Sequence, residues 1–271
     1  MFKKFTSTFF VVTLIGLSSS WAALTDARVD VDANGATVDG VLSADEYGTG
    51  NSYSYTGGGS GFGGTLGGGT LYFQSDATNL YIGFQPGANL NDYVALYLDT
   101  RTGGFVDADM NDTGDPGRNV ISNLGSFGDE TFPILPDFGI VIGDFGIVTF
   151  ELNAGNTPNH LNFVDFSNTF TGANTNFREY SIALSSLGGV TGGSNIDFFA
   201  AYSSNTNFLS NESIPGSAGL NGGANPGNSA TGTYENFDRF TVVVPEPSTF
   251  ALLAGPALLG VWFFARRRRS S

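Results

Sequence analysis

Short runs of apolar residues, alternating with polar ones or unbroken, recur along the middle of the chain, each bounded by glycine, asparagine, aspartate or serine. Leu71-Tyr72-Phe73 and Leu80-Tyr81-Ile82-Gly83-Phe84 flank Ser75-Asp76-Ala77-Thr78-Asn79, which predicts a β-hairpin. Ile140-Val141-Ile142 and Ile147 to Leu152 surround Gly143-Asp144-Phe145-Gly146 and predict a second hairpin. Tyr93-Val94-Ala95-Leu96-Tyr97-Leu98 is unbroken, as a strand covered on both faces requires. Further strands are predicted at Phe163 to Phe166, Arg178 to Leu184, Ile196 to Tyr202 and Phe240 to Val244. Long patterns of helical period are missing. The elements therefore predict an all-β, antiparallel β-sandwich.

Composition agrees, with 39 glycines and 25 phenylalanines in 271 residues. Two stretches read as connections. The run 57–69 has nine glycines in 13 residues, but no Gly-Lys-Ser/Thr follows it and no βαβ unit surrounds it, so it predicts a flexible loop and not a phosphate cradle. The stretch 205–233, rich in Asn, Ser and Gly, predicts a long loop before the last strand.

Both ends differ from this body. Lys3 and Lys4, the apolar run Phe9 to Leu17 and the small residues before Ala23 have the order of a secretory signal peptide, with cleavage expected after Ala22. At the other end Pro245-Glu246-Pro247 precedes an apolar run, about 249–265, and the cluster Arg266, Arg267, Arg268 and Arg269. The run is slightly short of the roughly 20 residues of a spanning helix, and the arginines should stay on the cytoplasmic side. This tail resembles the PEP-CTERM sorting signal. The resemblance implies recognition and processing by an exosortase in the inner membrane of a Gram-negative bacterium, transient anchoring, then delivery to the cell surface or extracellular matrix. Three parts are expected: a signal peptide at 1–22, one secreted domain at 23–244 and a sorting tail at 245–271, with signal peptidase and exosortase as partners during export.

Removing the ends changes the charge. Six of the 11 basic residues lie in them, which leaves Arg28, Arg101, Arg118, Arg178 and Arg239 against 24 acids, about −19 on the body. That balance opposes nucleic-acid binding and favours cations or neutral polymers. The chain has no cysteine, so disulfides and thiol chemistry are excluded. A body of about 220 residues can bury a core without them.

The segment Thr37-Val38-Asp39-Gly40-Val41-Leu42-Ser43-Ala44-Asp45-Glu46-Tyr47, then 79–84, 94–99 and 178–188, resembles secreted sandwich domains related to family-nine carbohydrate-binding modules and DOMON-like domains. The resemblance implies the sandwich fold and an extracellular polysaccharide as a candidate partner. The sugar sites of that family commonly stack the ligand on tryptophan, whereas Trp21 and Trp262 here lie in the terminal segments. Tyr47, Tyr53, Tyr55 and Tyr234 are the alternative aromatic faces.

The densest cluster of charged groups follows the strand ending at Asp99. Asp107, Asp109, Asn111, Asp112 and Asp115 place oxygen ligands at close intervals, as a loop around calcium requires, with Asp99 as a further ligand. Asp112 stands where an EF-hand needs glycine and no closing glutamate follows, so a solvated acidic loop neutralised by Arg118 is the alternative. His160, the single histidine, follows a turn and does not resemble a catalytic base, and cofactor fingerprints are absent. A non-enzymatic component of the surface or exopolysaccharide matrix is expected, with a carbohydrate-binding module and a secreted polysaccharide hydrolase as the alternatives.

Overall fold

The computed structural model describes residues 22–55, 64–105, 112, 114–122, 133–152, 161–167, 177–206, 208–216, 225 and 234–244. The chain order is β1 (Ala23–Val29), β2 (Ser52–Tyr55), β3 (Gly69–Ser75), β4 (Asn79–Gln85), β5 (Tyr93–Asp99), α1 (Pro116–Ile121), β6 (Phe138–Gly143), β7 (Gly146–Leu152), β8 (Leu161–Ser167), β9 (Arg178–Ala183), a single 3₁₀ turn at Leu184–Ser186, β10 (Asn195–Ser203), β11 (Leu209–Ile214) and β12 (Asn236–Thr241). They form two sheets. The smaller has the order β2-β3-β4-β9; the larger runs β1-β12-β10-β5-β6-β7-β8, with β11 also paired to β10. Every pairing is antiparallel except that of β1 with β12.

Alternation assigns the two faces of the larger sheet. Val94, Leu96 and Leu98 of β5 and Phe198 of β10 face Leu71, Phe73, Ile82 and Tyr180 of the smaller sheet and form the inner core. Ala95, Tyr97, Phe199 and Ala201 point outward into a second apolar layer with Val120 and Ile121 of α1, Phe105 and Tyr234. This second layer explains why the β5 run carries no polar face: its strand is covered on both sides.

Both predicted hairpins form, at β3-β4 and β6-β7. Three expectations are corrected. The last strand is Asn236–Thr241 and ends before Val242. Within the expected loop 205–233, Leu209–Ile214 is a wholly buried strand. The end of the glycine run packs inward: Thr65 and Leu66 are buried, and Glu212 of β11 accepts from the amides of Gly64 (2.7 Å) and Leu66 (3.3 Å). The tail and its apolar run lie outside the described residues, and no helix among the described residues is long and apolar enough to cross a membrane.

Candidate functional site

The acidic loop lies only partly within the described residues; Asp107, Asp109 and Asn111 fall outside them, as does His160. Asp112 is buried and its carboxylate meets Arg118 Nη1 at 2.6 Å. Asp115 is the N-cap of α1, accepting from the Arg118 amide at 2.9 Å, and its other oxygen lies 3.2 Å from Arg118 Nε. Pro116 in the first helical turn has no amide to orphan, so Asp115-Pro116 is a strong local start signal. Asp99 belongs elsewhere. It faces Asp197 across β5 and β10, and burial, followed by the like charges of Asp137 and Asp197, pushes its carboxyl up to about 7. Among the described residues no group of three or more His, Cys, Asp or Glu side chains is placed to hold a metal.

The candidate tyrosines are mostly structural. Tyr47, Tyr53 and Tyr234 are buried, with hydroxyls bonded to Glu179, to the Arg239 carbonyl and to the Ser210 carbonyl; only Tyr55 is partly buried.

The aromatic surface lies instead on the outer face of β7 and β8. Register there carries an irregularity: Phe166 pairs with Val148 and Phe163 with Phe150, so β8 has one residue more than β7 between the two pairs. A regular strand would send side chains three apart to opposite faces; this bulge puts Phe163 and Phe166 on the same one. Phe145 joins them from the β6-β7 turn. Its ring lies 5.7 Å from that of Tyr93 and 6.5 Å from that of Phe166, nearly parallel to the latter at 14°. Glycine at 143 makes this possible, since a Cβ there would lie 2.7 Å from the Phe145 ring and 2.9 Å from Tyr93.

Together with Val148, Phe150 and the first turn of α1, these residues line a cleft of about 420 Å³. Phe145, Phe163 and Phe166 are 36 %, 59 % and 47 % exposed, which is costly surface for a soluble domain unless it is used. Arg118 forms the polar rim. Its guanidinium lies 5.0 Å over the Phe150 ring and is held by Asp112, Asp115 and the Leu161 carbonyl. Asp115 is the one carboxylate among the described lining residues. Phe145 carried a signal legible in sequence, a phenylalanine inside a tight hairpin turn; Phe163 and Phe166 did not, because the bulge depends on β7.

A second, more polar cavity of about 330 Å³ involves Arg101, Asp137 and Glu151. Arg101 spans the two carboxylates, with Nε 3.1 Å from Asp137 and Nη1 2.9 Å from Glu151. Asp137 is further tied to the amides of Thr100 and Arg101. The guanidinium thus pairs with both carboxylates at the wall of this cavity.

These features define an antiparallel sandwich with an aromatic cleft at one sheet edge. Residues 243–269 match the family described as PEP-CTERM protein-sorting motif, so the tail is an exosortase sorting signal and implies export to the envelope or surface of a Gram-negative bacterium. A solved structure described as "a putative carbohydrate-binding protein from Bacteroides uniformis ATCC 8492" is similar over 64 % of this chain and 78 % of that one, at 9 % identity and a TM-score of 0.31. No curated protein matches the chain.

Proposed function

We propose that this protein is a non-enzymatic component of the bacterial surface or its extracellular matrix, and that the cleft between β8 and α1 holds an uncharged polysaccharide. The observation that carries this function is the group of three exposed phenylalanine rings on one face, in a protein whose tail sends it to the envelope. Aromatic faces stack on the C–H faces of sugar rings, and a fixed arginine at the rim donates to hydroxyls. Charge favours a neutral ligand. Arg28, Arg101, Arg118 and Arg239 are each in ion pairs with aspartate or glutamate, and Arg178 is buried, so the body's excess of acid has no free cationic counterpart at the surface to attract a polyanion.

Hydrolysis is the weaker reading at either cavity. The aromatic cleft has one carboxylate among its described lining residues, where two facing ones are needed, and the second cavity has its pair bridged by Arg101. Affinity electrophoresis of the exported protein in gels containing neutral or anionic polysaccharides tests the proposal. Retardation by a neutral polymer, with Phe163→Ala plus Phe166→Ala weakening binding about tenfold or more and leaving the melting temperature nearly unchanged, is expected. Binding that ignores these substitutions, or retardation by polyanions alone, would overturn it.

A further inference from the structure

Arg118 is the one cation among the described residues that line the aromatic cleft. Its Nη1 uses both hydrogens inside the protein, on Asp112 Oδ2 at 2.6 Å and on the Leu161 carbonyl at 3.0 Å, and its Nε lies 3.2 Å from Asp115 Oδ2. Nη2 has no partner among the described residues, so its two N–H bonds remain to donate. A guanidinium is planar, and Nη2 shares an edge with Nε, so these hydrogens emerge beside Asp115 Oδ2. The Asp115 side chain is 50 % exposed, and its oxygens keep lone pairs beyond the contacts to the Arg118 amide and guanidinium. A pair of donors and an acceptor therefore stand side by side at the rim.

Two features hold this group against the rings. Gly117 is buried, and a Cβ there would lie 3.2 Å from Val148 Cγ1, 3.3 Å from Asp115 Oδ1 and 3.6 Å from Phe150 Cε2. Glycine thus lets the chain carrying Asp115 and Arg118 sit directly on the cleft floor, and a side chain at 117 would lift both away. The guanidinium is also fixed in place, by its ion pairs and by the Phe150 ring 5.0 Å from its Cζ, so little of the freedom of a long side chain is left to lose when a ligand arrives. Two carboxylates, Asp112 and Asp115, meet the single guanidinium. That excess of acid opposes a carboxylate or sulfate ester on the ligand and favours a hydroxyl, which both accepts and donates.

Resting on the polysaccharide reading of this cleft, we propose that Arg118 and Asp115 are its specificity-determining residues and recognise two adjacent free hydroxyls on the edge of a sugar ring whose C–H face lies on Phe163 and Phe166. Nη2 donates to the two hydroxyl oxygens, and Asp115 accepts from one of the hydroxyls. The phenylalanines hold any sugar with an apolar face. The rim selects among such sugars, taking neutral polymers with unsubstituted vicinal hydroxyls and turning away those substituted or charged at these positions.

Affinity gels containing dextran, mixed-linkage β-glucan or galactomannan, each unmodified and O-methylated, separate the rim from the rings. Methylation keeps the C–H faces, removes the hydroxyl hydrogens and crowds the oxygens. A polymer that retards the exported protein should bind about tenfold or more tightly in its unmodified form, since hydrogen bonds to charged groups are lost on methylation. Arg118→Lys keeps a cation against Asp112 but has no Nη2; it should weaken binding to the unmodified polymer about tenfold, leave binding to the methylated one unchanged and so erase the preference. Asp115→Asn retains a good N-cap and should reduce the preference to about threefold or less, which carries the test if Arg118→Lys lowers the melting temperature. Phe163→Ala plus Phe166→Ala should weaken both forms alike and leave the preference intact. Wild-type binding indifferent to methylation, or a preference that survives either rim substitution in a folded variant, would overturn the assignment of Arg118 and Asp115 while the polysaccharide reading stands. Failure of every polymer to retard the wild-type protein would overturn both.

Discussion

Three buried carboxylates, Asp30, Glu179 and Glu212, fasten loops to sheets by accepting from backbone amides. Glu179 is the clearest. One oxygen accepts from the amides of Asp39 (2.9 Å) and Gly40 (2.6 Å), the other from the Tyr47 hydroxyl at 3.1 Å; burial pushes its carboxyl up, and the amides of Gly40 and Asp39 oppose that shift. The segments Thr37 to Tyr47 and Arg178 to Gly188, which share a family resemblance, therefore touch through this one side chain. Glu179→Ala leaves three donors without their acceptor and should cost about 2–4 kcal/mol in urea unfolding, with Glu179→Gln costing roughly half as much. Sequence showed both segments but not their bond, since nothing local pairs residues 140 positions apart. The burial of Tyr47, Tyr53 and Tyr234 was hidden for a related reason: they stand beside polar residues in the chain and are covered by elements distant from them.

At the scale of elements, what was legible followed from alternation. The hairpins β3-β4 and β6-β7 and the doubly covered β5 carry their pattern within a few residues. β11 carries none. Leu209-Ser210-Asn211-Glu212-Ser213-Ile214 is two-thirds polar, yet every residue of it is buried, because distant groups satisfy it: the Tyr234 hydroxyl meets the Ser210 carbonyl at 2.8 Å, and Asn225 accepts from the Asn211 amide at 2.9 Å. Polarity pointed to a loop, and tertiary partners made a strand. Glu212→Ala removes the tie to Gly64 and Leu66, so hydrogen exchange at those two amides should accelerate by about tenfold or more while amides of β5 keep their protection relative to global unfolding. Equal acceleration in β5 would make the tie part of the global fold and not a local latch. The β8 bulge was illegible in the same way as β11, because the extra residue is defined only against β7.

Over the whole molecule, charge sets the response to solution conditions. Asp99 and Asp238 are each pushed up to about 7, first by burial and then by neighbouring carboxylates, Asp137 and Asp197 for the former and Asp26 for the latter after the opposing Asp26 amide. A carboxyl raised in the folded state contributes stability that is complete below its unfolded value and is lost as pH rises through its folded one. Asp76 has the opposite sign. Burial raises it, but bonds from Tyr81, Thr78 and Asn79 outweigh this and lower it to about 2, so its contribution is lost only as pH falls toward that value. Lowering the pH from about 8 to about 5 should therefore raise the melting temperature by a few degrees, and Asp238→Asn should raise it at the upper pH and flatten the profile. Sodium chloride should stabilise at the upper pH by screening the acidic excess. The parallel pair also sets how the domain would respond to a pull on its two ends. Because β1 and β12 run the same way, Ala23 starts beside Asn236 while the route to the tail leaves past Thr241, at opposite poles of the sheet. A pull applied between the segment before Ala23 and the segment after Thr241 would load the pair along its length, from the bond between Ala23 and Glu235 to the one between Asp30 and Thr241. The bonds would share that pull as a seam in shear, not open one by one as a zipper does.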